Sequence, residues 1–170
     1  MSNHYVNMFR YNIDANQRVW ECAMTLSDEL YFKKLDYSQG AIFSQLIHTM
    51  GVEYWWLHFL RTGEIEFIEE LDAFEDRAYF RAEWDRINAV NLAYLEQVTP
   101  DQLDKDVKPP FWATNEGPSS AGKGLCRSCS TAWIIALKRW QVYIVSAHLL
   151  SSKITCIICW QKVGMLRKFP

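Results

Sequence analysis

Aspartate and glutamate are missing from the last third of this 170-residue sequence: all 20 lie at or before Glu116, while 8 of the 18 lysines and arginines lie after it. The first 116 residues hold 10 basic against 20 acidic side chains, −10, and the last 54 carry +8, so the overall −2 averages two unlike stretches of text. At ordinary usage, with about a quarter of residues charged, the last stretch would hold roughly six acids. No uninterrupted apolar run reaches the roughly 18 residues a membrane-spanning helix needs. The opening "MSNHYVNMFRYNID" is polar and lacks the apolar core of a secretory signal, so a cytoplasmic protein is expected. Strand-like alternation, internal repeats and a phosphate-type glycine loop are also missing from the acidic part, which leaves an all-α reading.

What is present can build a core. Hydrophobic residues make up 49% of the chain, and its length suits one domain. From Tyr5 to Leu26 the apolar residues Met8, Tyr11, Ala15, Val19, Cys22 and Leu26 recur every three or four positions and predict one amphipathic helix. Ser27, Asp28 and Glu29 look like the capped start of a short helix through "ELYFKKL", closed by "DYSQG". "AIFSQLIHTMGVEYWWLHFLRTGE" predicts a second long helix with Phe43, Leu46 and Met50 on its apolar surface and Gly63 at its end. A third spans about 76–98, with Ala78, Trp84, Ile87, Leu92 and Leu95 available for packing, before "TPDQLDKDVKPP" breaks it.

Histidine is scarce, with four in the chain. His48 shares a face with Val52 and Trp55 inside the second long helix, and it alone invites a chemical role in the acidic part; His4 and His58 read as surface residues. By itself His48 also suits a core histidine with one hydrogen bond. Cysteine is concentrated late. Cys126 and Cys129 form one CxxC, and Cys156 and Cys159 form another after 26 intervening residues, a spacing that zinc sites use. "ITCIICWQ" is apolar and β-branched, however, unlike the glycine-rich or polar turns that aim two sulfurs at one metal.

Three stretches, "MFRYNIDANQRVWECAMTLSDEL", "GAIFSQLIHTMGVEYWWLHFLRTGE" and "FRAEWDRINAVNLAYLEQVTPDQLDK", together resemble the DinB-like proteins over about residues 5–112. The resemblance implies an all-α four-helix bundle. It also implies a divalent metal, nickel or zinc, held by one histidine on the second long helix and two in an HxxxH on the last. Such a site would serve a hydrolase or thiol transferase acting on a small-molecule substrate, with a metal-bound water or thiolate as nucleophile. His48 matches the first ligand. Beyond about Pro118 there is no HxxxH, and His148 stands alone.

The abrupt loss of acids and of resemblance suggests a shifted reading frame after about residue 118. "STAWIIALK", Ser130 to Lys138, can be encoded so that triplets taken from the last base of each codon read "HGMDHRAQ". The two histidine triplets fall at Thr131 and Ile135. A stop is permitted across Leu166 and Arg167 in the same frame. The expected organisation is thus a DinB-like unit over 1–118 and an out-of-frame tail over 119–170 at the position of the last helix. Basic residues with Trp133 and Trp140 would suit nucleic acid or membrane, but out-of-frame text is often basic and apolar, so neither partner is expected. The alternatives are a non-catalytic helical stress-response or interaction protein, dimerising with itself through exposed bundle faces, and a zinc-binding tail built on the four cysteines.

Overall fold

In a computed structural model, residues 4–34, 40–69, 71–110 and 117–126 are described. Three long helices carry the fold: α1 (His4–Ala23), α3 (Ile42–Thr62) and α4 (Arg77–Gln97), with a short α2 (Asp28–Phe32) between the first two. A 3-10 turn (Leu71–Glu75) precedes α4, and a one-turn α5 (Pro100–Asp104) follows it. β1 (Asp106–Val107) pairs antiparallel with β2 (Ser119–Ser120), and residues 121–126 are again helical. Among the described residues no helix is long and apolar enough to cross a membrane.

Local chemistry sets the helix ends. Gly63 adopts φ +83°, a left-handed conformation that costs a residue with a Cβ, and its N–H bonds to the Phe59 carbonyl to close α3. Asp76 accepts from the Tyr79 N–H to open α4. The stretch read as a breaker contains a helix of its own. Thr99 and Gln102 form a reciprocal capping box around Pro100 at the first helical position, so α5 begins where α4 stops.

The chain is an all-α bundle with its core in layers. One apolar layer holds Trp20 and Ala23 of α1, Leu46 and Met50 of α3, and Phe80, Trp84 and Ile87 of α4. At the other end Val6 and Phe9 meet Leu57, Leu95 and Leu125. These pairings mean that α1 runs antiparallel to α3, whereas α3 and α4 run parallel, joined by the long 63–76 crossover. Aromatic rings dominate the first layer: Phe80 stacks on Trp84 with centroids 5.7 Å apart, and Trp20 meets Phe80 edge-on at 5.1 Å. Burying each such ring contributes about 1.5–3 kcal/mol.

The core face of α1 is displaced from the predicted one. Tyr11 is 56% exposed, while Val6, Phe9, Asn12, Asn16, Trp20 and Ala23 are buried, and of the predicted stripe only Cys22 is buried with them. Two asparagines occupy the middle of that stripe, so a search for apolar spacing slid one residue aside to a partly covered flank. On α4 likewise Ala78 is exposed, and Asn88 and Asn91 are buried with Trp84, Ile87 and Leu95.

Candidate functional site

Between the two apolar layers lies a polar one, centred on Glu53 of α3, which is 1% exposed. One carboxylate oxygen, Oε1, accepts from Asn12 Nδ2 at 2.6 Å and Asn16 Nδ2 at 2.9 Å, both on α1. The other, Oε2, accepts from Trp84 Nε1 on α4 at 3.0 Å. All three partners donate, the arrangement that suits a carboxylate acting purely as acceptor. Spacing explains the convergence: Asn12 and Asn16 are four apart and project from one face of α1, opposite the midpoint of the antiparallel α3. Sequence patterning missed this cluster because apolar periodicity treats each member as a gap. The available signal was three polar residues, Asn12, Asn16 and Glu53, at positions where the surrounding apolar period demanded burial.

His48 sits half-buried on the flank of α3 that also carries Val52 and Trp55, the face read from the sequence. On the same side of the helix, eight residues on, the buried Trp56 Nε1 donates to the Gly124 carbonyl. A Cβ on Gly124 would stand 2.5 Å from Trp56 Cζ2, so backbone lies directly against the indole there. Residues 121–126 therefore enter the bundle beside this flank of α3. Leu125 is 2% exposed among Phe9, Leu57 and Leu95.

The described residues do not complete a metal site around His48. No group of three or more His, Cys, Asp or Glu among them could hold a metal ion. Glu53, five residues along α3, has both oxygens engaged by α1 and α4. Cys126 is exposed and Cys22 is buried in α1, and neither forms a disulfide among the described residues. Cys129, Cys156, Cys159, Thr131, Ile135 and His148 lie outside the described residues. His58 is not the simple surface residue expected: its side chain is 15% exposed, and Nδ1 is 3.4 Å from Glu66 and from Arg61 Nη2.

The match to known families follows this geometry. The DinB family model matches residues 1–119, more than half of the chain. The chain belongs to the DinB family. No curated protein matches it. The DinB match thus takes in α1 to α5, the polar layer and His48, and stops at β2, before the 121–126 helix that abuts Trp56.

On the far side of α3 from Val52 and Trp55, Tyr54, Arg86 and Glu66 meet at the surface. Burial, followed by a hydrogen bond to Glu66, pushes the Tyr54 hydroxyl up to about 12. Glu83 accepts two hydrogen bonds from Arg86, at 2.8 Å from Nε and 2.5 Å from Nη2, and this pairing holds its carboxyl below the usual range. Both shifts belong to neighbours on adjacent helices, away from His48.

Proposed function

We propose that this chain is a DinB scaffold of the divalent-metal hydrolase or thiol-transferase kind that retains one of three histidine ligands, His48, and as written does not perform that chemistry. The observation that carries the reading is the ligand count. His4 and His58 stand elsewhere in the bundle, and Thr131 and Ile135, where the family's HxxxH would fall, bear a hydroxyl and an alkyl group. Neither can replace an imidazole at a metal.

The position of His48 supports the same reading. From Trp56 back to His48 is eight residues, about 12 Å along a helix axis. In a frame-restored chain whose last helix ran on from the 121–126 turn, antiparallel to α3 with 124 opposite Trp56, the level of His48 falls at position 132. Positions 131 and 135 bracket it. A histidine four residues from another shares its helix face, so both would meet His48 from across the interface.

The test is a calorimetric titration of the full chain and of His48→Ala with Ni²⁺ and Zn²⁺, beside the sequence of the encoding DNA. The expected result is no His48-dependent binding tighter than micromolar in this chain, and its appearance once the frame is restored after codon 118. Tight one-to-one binding by the chain as written, abolished by His48→Ala, would overturn the impaired-site reading. Codons that forbid "HGMDHRAQ" would remove the frame reading. Metal binding lost on replacing Cys126 would instead favour the zinc tail.

A further inference from the structure

Away from His48, the segment 64–69 leaves the end of α3 and bridges to the 3-10 turn, and beneath it a groove of about 580 Å³ opens against α4. Its size is that of a small-molecule site. Four aromatic rings face it, from Tyr54, Phe67, Phe74 and Tyr79. Phe74 is buried, with its ring centroid 5.4 Å from that of Tyr79, whereas Phe67, 6.2 Å from the Trp55 ring, and Tyr79 are 56% and 49% exposed at the rim.

The charges in the groove are one-sided. Glu66, Glu69 and Glu83 line it with a single cation, Arg86. The Arg86 fork is closed on Glu83 by its two hydrogen bonds, so that pair is neutral and Glu66 and Glu69 remain. Glu66 takes the Tyr54 hydroxyl and lies 3.4 Å from His58 Nδ1, and Glu69 is exposed at the rim. Ring faces and carboxylates attract the same kind of group, a cation with a thin apolar coat. An anion meets an excess of carboxylates, three against one guanidinium, and a neutral apolar ligand gains nothing from them.

We propose that this groove binds a small organic ammonium ion, its charged end between Glu66 and Glu69 and its alkyl groups on the rings of Phe67, Phe74 and Tyr79. His48 does not line the groove, so the site stands independently of the metal reading. A smaller cavity of about 160 Å³ adjoins it, sharing Tyr54, Glu66, Arg86 and Ile87 and adding Arg61, His58 and Asn91. Asn91 is 2% exposed and its Nδ2 has no hydrogen-bond partner among the described residues. That end is rich in donors and is not part of the proposed cation site.

Choline, 3,3-dimethylbutan-1-ol as its neutral isostere, and benzoate serve as probes, followed on the full chain by amide chemical-shift titration. The expected result is saturable shifts at residues 64–69 and 79–87 with choline, at least about fivefold tighter than with the alcohol. Glu69→Gln and Tyr79→Leu, both at exposed positions, should each weaken choline by about threefold or more with unchanged circular dichroism. Equal binding of choline and the alcohol, tighter binding of benzoate, or indifference to both substitutions would overturn the proposal.

Discussion

Replacing Glu53 by glutamine is the sharpest probe of the polar layer, because it removes one charge and changes almost no volume. The glutamine carbonyl would face Asn12 and Asn16, keeping those two hydrogen bonds but without the charge that makes each worth about 1.5–3 rather than 0.5–1.5 kcal/mol. Its NH₂ would then face Trp84 Nε1, donor against donor, leaving a buried N–H unpaired at about 1–3 kcal/mol. The neutral amide is easier to bury, which returns part of the loss, so the net destabilisation is about 2–4 kcal/mol. Against a typical domain stability of about 5–15 kcal/mol that is large. Urea unfolding followed by far-ultraviolet circular dichroism reads it as a lower midpoint at unchanged slope. In a Trp84→Phe background the donor conflict is absent, and the cost of Glu53→Gln should fall by about 1–3 kcal/mol. A cost below about 0.5 kcal/mol, or the same cost in both backgrounds, would refute the assignment of three donors to one carboxylate.

Three further outcomes are expected. Gly124→Ala places a methyl 2.5 Å from Trp56 Cζ2 and should cost about 1–3 kcal/mol in the same unfolding assay; a neutral result would mean that residues 121–126 do not pack on α3. With burial pushing the Tyr54 hydroxyl up to about 12, absorbance near 295 nm compared with Tyr54→Phe should lose one tyrosine from the alkaline end of the titration. Its folded value lies above the unfolded one, so its contribution to stability is complete below about pH 10 and disappears as pH rises through about 12. Glu83→Gln should cost about 0.3–0.5 kcal/mol at neutral pH. With the Glu83 carboxyl depressed by Arg86, that difference is full above the ordinary carboxylate range and vanishes as pH falls through the depressed value, which unfolding at acid and neutral pH will check.

Apolar spacing located α1, α3 and α4 because each long helix hides one side from water, and the faces of α3 were legible down to Leu46, Met50 and the flank of His48. It failed where the core is polar. Asn12, Asn16, Asn88 and Asn91 are buried, and a hydrophobic pattern assigns such residues to solvent. The one-turn α5 was hidden by its proline, which reads as a breaker unless Thr99 and Gln102 are recognised as the two halves of a cap. Of the candidate site, His48 stood out as a histidine amid apolar neighbours, but its reading as a ligand came only through family resemblance, since one histidine carries no spacing. The groove under 64–69 had no linear signal at all: its rings come from α3, the crossover, the 3-10 turn and α4, and only the parallel course of α3 and α4 brings them together.

The polar layer also bears on how the molecule is made. The three hydrogen bonds described at Glu53 come from α1 and α4, so these partners from the three long helices are in place by Gln97. A nascent chain can fix the mutual register of these helices before the acid-free text is translated. A change in the sequence downstream would then meet a DinB scaffold whose three long helices already share this layer.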